Sequence, residues 1–116
     1  AVNEGEADLF LLSWWADYPS PENFLYPVFH SANVGSAGNR ARFQDVAFDA
    51  LIEAARSGSG KNIYTSAQKY IIEKAPWVFL WHKNSFFAVA EDIEGFEVYP
   101  VYNMDKGTAL CRKTKR

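Results

Sequence analysis

Phe48, Leu51, Ile52 and Ala55 recur at three- and four-residue steps, and Ile63, Ala67, Tyr70 and Ile71 do the same after the breaker Ser57-Gly58-Ser59-Gly60. This spacing places each set on one face of a helix, and a helix with one apolar face must bury it against a partner. With so short a Gly/Ser turn between them, the two faces cover each other as an αα-hairpin. Asp45 suits the N-cap of the first helix, which runs to about Arg56. The second ends near Lys74, because Pro76 cannot continue it.

Around the hairpin lie apolar runs too short for amphipathic helices. Asp8 to Trp14 (DLFLLSW), Trp77 to Trp81 (WVFLW) and Phe86 to Ala90 (FFAVA) read as strands, and Glu94-Gly95 turns the chain into a further strand from Phe96 to Tyr102. Ser20-Pro21-Glu22-Asn23 reads as a helix start, with Ser20 as cap, Pro21 at the first helical position and Glu22 facing the positive end of the dipole. A short helix to about Phe29 follows. Ser31 to Arg42 (SANVGSAGNRAR) has no periodicity and two glycines, so it is expected to be a mobile surface loop. The order of elements predicts an α/β fold, a mixed β-sheet with packed helices. One domain is expected over residues 1–110, with 111–116 as a disordered basic tail.

Several function classes are excluded at this level. A chain of 116 residues has room for one core and not for two lobes around a cleft. The net charge of −2, from 12 basic and 14 acidic residues, provides no field for a nucleic-acid backbone. One cysteine, Cys111, and two histidines far apart, His30 and His82, supply neither a disulfide nor a metal set, and no cofactor is indicated. The apolar runs stop well short of the roughly 20 residues that span a bilayer. AVNEGEAD at the start is not a positive-then-apolar leader, so an export signal would have been removed or would lie upstream.

The segment SWWADYPSPENF, residues 13–24, carries the chemistry. Its tryptophans can cover a sheet edge, and an aspartate before Tyr-Pro can be a simple turn former. The other reading puts Asp17 in a partly enclosed site at the carboxyl end of a strand, where open α/β sheets place ligands and where a carboxylate would hold a cation. His30, at a helix end, suits a dipole-compensating role, His82 a structural hydrogen bond, and Arg40 and Arg42 a solvated loop. No nucleophile stands next to a base, and no carboxylates are paired, so an enzyme is not expected.

The string Trp14 to Leu25 (WWADYPSPENFL) resembles the W-x-x-D-x-x-x-P-x-N-F segment of family 5 extracellular solute-binding proteins, the peptide- and nickel-type receptors of ABC importers. Further resemblances follow in the same order: Phe48-Asp49-Ala50-Leu51-Ile52 to F-D-x-L-I, Tyr64 with Ala67-Gln68 to Y-x-x-A-Q, Glu73-Lys74-Ala75-Pro76-Trp77 through His82 to an E-x-A-P segment that ends in a histidine, and Ile93 to Pro100 to V-x-G-F-x-x-x-P. The resemblance implies a fragment of the C-terminal lobe of a longer receptor with a type II periplasmic-binding-protein-like fold. It implies a periplasmic or extracellular location, with lipid anchoring as one mode, and as partners the rest of the receptor, a short peptide or related amine-bearing solute, and an ABC permease. Carried onto this sequence, the aspartate of the motif makes Asp17 the acceptor of the ligand's α-ammonium, with Trp14, Trp15 and Ala16 supplying wall and backbone contacts. The competing readings are a structural or interaction domain without its own ligand, and a hydrolase. Three departures bear on the site and the fold. The link Ser57 to Gly60 is shorter than the longer, charged one usual in the family, which implies a trimmed helix start. Leu11 stands where some peptide receptors have an arginine, and Val46 replaces a common proline, leaving Asp45 to cap alone.

Overall fold

The computed structural model describes residues 2–58, 62–99, 101 and 110–114. The chain divides into two units, Ala1–Phe79 and Leu80–Arg116.

The first unit is built on three helices: α1, Pro21–Phe29; α2, Val46–Arg56; and α3, Asn62–Lys74. Each starts or stops for a local reason. Ser20 accepts the Glu22 N–H at the head of α1, and Pro21 follows at a position where its missing N–H costs nothing. Asp45 alone caps α2, its carboxylate accepting the N–H groups of Ala47 at 2.9 Å and Phe48 at 3.0 Å. Ala75 leaves α3 with a positive φ of 48°, ahead of Pro76.

The α2 and α3 faces predicted from their spacing meet as expected. Phe48 and Ile52 of α2 and Ala67 of α3 are fully buried, Ile71 is almost so, and Leu25, Val28 and Phe29 of α1 close the core. Phe29 stands edge-on to Phe48 and Trp77, with ring centroids 6.3 and 5.3 Å away. Burial of each large apolar side chain contributes about 1.5–3 kcal/mol. Leu51, Ile63 and Tyr70 are partly buried at the margin of the core.

Asp45 also ties α2 to α3 by accepting the Tyr70 hydroxyl at 3.0 Å. The Phe48 amide above all, helped by the Tyr70 hydroxyl and the Ala47 amide, holds its carboxyl below the ordinary 3.8, although burial, second in size to the Phe48 bond, opposes it. A depressed carboxylate stabilises fully above its unfolded value and loses that contribution as pH falls through the folded one. The stability gap between the wild type and Asp45→Ala is therefore expected to be constant from neutrality to about pH 4.5 and to narrow below it, as followed by urea unfolding at a series of pH values.

Three expectations are corrected. Residues 8–14, 77–81 and 86–90 form no ladder among the described residues, so the expected mixed sheet is not assembled there. Leu9, Leu11, Trp81 and Phe86 are 92, 73, 72 and 91% exposed. Strand-like patterning records which faces want burial, but a strand exists only where a neighbour takes its amides and carbonyls, and no described segment does so. Residues 31–42 are not a loose loop: Ser31–Asn33 form a 3-10 turn, Val34 bridges to Asn39, and Asn39 is fully buried.

The second unit holds the third correction. Arg112 and Lys113, expected in a solvated tail, form strand β2 (Arg112–Lys113) antiparallel to β1 (Ile93–Glu94). Lys113 pairs with Asp92 at 3.3 Å. The predicted turn at Glu94-Gly95 is present: Gly95 has a φ of 80°, and a Cβ there would strike the Leu110 carbonyl. Residues 96–99 and 101 are not in a strand, while Pro100 and Tyr102 of that expected strand lie outside the described residues, as do the link residues 59–61.

Candidate functional site

Residues 14–17 approach the first turn of α1 in irregular backbone. Asn23 in that turn organises them. Its side-chain Oδ1 accepts the Asp17 N–H at 2.9 Å, and its backbone carbonyl accepts the Trp14 indole N–H at 2.7 Å.

Proline explains the second bond. In a regular helix the Asn23 carbonyl would accept from the N–H four residues later, but that residue is Pro27, which has none. The orphaned carbonyl takes the indole instead, and Trp14 is thereby held half-buried against the core. Trp14→Phe keeps most of the packing but strands this carbonyl and is expected to cost about 1–3 kcal/mol. Pro27→Ala restores a helical donor, so adding it to Trp14→Phe is expected to recover stability that it does not add to the wild type; paired urea midpoints read the difference.

The tryptophans therefore part company. Trp14 turns inward to α1, whereas Trp15 is 56% exposed. Ala16 is half-buried, and Asp17 is exposed at the head of the 17–19 bend. Among the described residues no ion pair engages the Asp17 carboxylate. Asp17 is thus not enclosed at a strand end within this chain; it stands on the surface with its backbone pinned.

Beyond Asp17 the chain borders an open depression of about 340 Å³ lined by Tyr18, Ser20, Glu22, Arg56 and Tyr64. Glu22 is the centre of its polar wall. It accepts the Tyr18 hydroxyl through Oε2 and pairs through Oε1 with Arg56 Nε at 3.1 Å. The bond to Glu22 raises the Tyr18 hydroxyl above its ordinary 10.0. Arg56 also lies 3.8 Å above the Tyr26 ring, joining the end of α2 to α1.

Of the remaining candidates, His30 and Arg40 take structural places, and His82 does not show the structural hydrogen bond expected of it among the described residues. His30, buried at the C-cap of α1, accepts the Ala32 N–H through Nδ1 at 3.1 Å, so Nε2 carries the proton that it donates to Glu53 at 3.2 Å. His82 is exposed. Arg40 reaches Asn3 through Nε at 2.9 Å. No group of three or more metal-ligating side chains forms among the described residues, and no described helix is long and apolar enough to cross a membrane.

Asn23 is the residue that motif reading passed over. A signal was available: a proline inside α1 guarantees an unsatisfied carbonyl one turn earlier, and a tryptophan in the preceding segment can supply the missing donor.

No family model and no solved structure matches the chain. Curated relatives do. Over 108 residues, 90% of the chain, it is 36% identical to the probable di/tripeptide-binding protein 5 of Pseudomonas aeruginosa, of which it spans 20%. It is 33% identical over 103 residues to heme-binding protein A of Haemophilus influenzae, covering 85% of this chain and 19% of that protein. It is 29% identical over 104 residues, 86% of this chain and 20% of the relative, to the probable D,D-dipeptide-binding periplasmic protein of Escherichia coli. The chain thus spans about a fifth of the length of these relatives. All three are named as binding proteins. These relatives are family 5 solute-binding proteins, and the chain is similar to one segment of them over 85 to 90% of its own length.

Proposed function

We propose that this chain acts as a segment of the C-terminal lobe of a solute-binding receptor that captures short peptides and delivers them to an ABC permease. Asp17 accepts the peptide's α-ammonium, while Trp15 and the backbone of Trp14 to Ala16 border the ligand. The observation that carries the reading is an exposed carboxylate on a backbone pinned by α1, inside a chain whose relatives include di/tripeptide-binding proteins. A clamp needs such a group displayed on one lobe's face, to be buried only when the second lobe closes. A charge-assisted bond to an ammonium is roughly twice as strong as a neutral one, and it fixes the ligand's direction whatever its side chains. Backbone pairing with an extended peptide adds affinity without reading sequence.

The fold follows the same reading. The uncovered apolar stretches around Leu9 and Trp81 become strands of the mixed sheet when other parts of the receptor supply their ladder partners. Amide hydrogen exchange at residues 9–12 and 86–89 is expected to be on the order of a hundredfold slower in the intact receptor than in this chain alone. Equal rates would refute the completed sheet.

Function is tested by titrating the intact receptor with dipeptides, tripeptides and heme. Saturable binding of free-amine di- or tripeptides is expected; binding of heme alone, or of none of them, contradicts the reading.

A further inference from the structure

We propose that Asn23 is the positioning residue of this site, fixing where Asp17 presents its carboxylate to a ligand's cationic nitrogen; the inference rests on the peptide-receptor reading above. Asn23 is 6% exposed in the first turn of α1 and grips the site segment at both ends. Its Oδ1 takes the Asp17 N–H at 2.9 Å and its carbonyl takes the Trp14 indole at 2.7 Å. Between these points, Trp15 and Ala16 lie in no ladder among the described residues, and the bond to Asn23 Oδ1 holds the Asp17 backbone amide directly.

A carboxylate on an unpinned loop would sample many positions, and a ligand would have to select one at the cost of ordering it. A pinned backbone removes most of that cost. An asparagine does this without electrostatic interference: a lysine in its place would neutralise Asp17, whereas the neutral amide holds the backbone and leaves the charge for the ligand. Pro27 completes the arrangement, because a non-proline there would compete with Trp14 for the Asn23 carbonyl. Asn23 touches no ligand in this scheme and acts through Asp17.

The readout is a ratio that a merely structural role would not move. The intact receptor is titrated with alanyl-alanine and with propionyl-alanine, the same molecule without its α-amino group. The ratio of their dissociation constants measures the preference for the free amine. In Asn23→Leu the preference is expected to fall by roughly tenfold or more, since displacements of about 1 Å carry penalties up to 100-fold.

A structural role alone would weaken both ligands equally and leave the ratio unchanged, which would overturn the proposal. Should Asn23→Leu fail to fold by circular dichroism, Asn23→Gln decides, because it moves the acceptor by one methylene: a preference reduced about fivefold or more supports the proposal, and a wild-type preference overturns it. Asp17→Asn separates the two levels. If it abolishes the preference while the Asn23 variants keep it, positioning by Asn23 is wrong and the ammonium site stands. If it leaves the preference intact, the ammonium site is wrong and this inference falls with it.

Discussion

Replacing Asn39 by leucine is expected to lower stability by roughly 3 kcal/mol or more, because each buried polar group left without a partner costs about 1–3 kcal/mol. The side chain is fully buried, and both ends of its amide are bonded. Its Nδ2 donates to the His30 carbonyl at 3.1 Å and the Phe43 carbonyl at 2.6 Å, and its Oδ1 accepts the Phe43 N–H at 3.1 Å. Its backbone is equally engaged, donating to the Asn33 carbonyl at 2.9 Å and accepting the Gly35 N–H at 3.0 Å. Leucine has a similar volume, so the loss would come from the stranded carbonyls and amide and not from a cavity. The adjoining Gly38 approaches α1 so closely that a Cβ there would meet the Pro27 carbonyl. Urea unfolding is expected to show a lower midpoint with an unchanged slope. A midpoint within experimental scatter of the wild type would mean that segment 31–43 is held by something other than Asn39.

This residue marks the boundary of what the sequence discloses. The helices were legible because their causes are local: Phe48, Ile52 and Ala55 fall on one face by spacing, Asp45 and Ser20 cap the amides that follow them, and Pro76 stops α3. The strands were legible only as wishes for burial, since Leu9 or Phe86 cannot pair without a neighbour that the sequence does not identify. The loop was misjudged for a related reason. Composition marks Gly35, Gly38 and Asn39 as breakers, and nothing in periodicity reports that one asparagine side chain will reach both ends of the segment.

Within the site the same division holds. The motif singled out Asp17 and both tryptophans, while the opposite fates of Trp14 and Trp15 follow from Asn23 and Pro27, six to thirteen residues away in sequence. Adjacent residues in irregular backbone do not share a side, so pairing the two indoles around one carboxylate was not a consequence of their adjacency.

Asp17→Asn is expected to weaken binding of free-amine peptides to the intact receptor by roughly 100-fold. Removing one partner of an enclosed, hydrogen-bonded charge pair typically costs 2–5 kcal/mol, and much of that is the penalty for leaving the other charge buried and unpaired. The magnitude depends on closure of the clamp. On the open surface where Asp17 now stands, an ion pair contributes at most about 1 kcal/mol, so a loss of only a fewfold would indicate that the ammonium stays in water. Asparagine preserves shape and can still accept a hydrogen bond, so packing is not disturbed. Calorimetry should therefore show the loss in affinity with thermal stability of the unliganded receptor unchanged. Equal affinities for wild type and variant would remove Asp17 from the binding site.

The most direct test is a crystal structure of the intact receptor with a bound dipeptide. The account predicts the ligand's α-nitrogen about 2.7–2.9 Å from an Asp17 carboxylate oxygen, with the Asp17 N–H still held by Asn23. A bound peptide whose amino group is paired elsewhere, with the Asp17 carboxylate facing solvent, would contradict it.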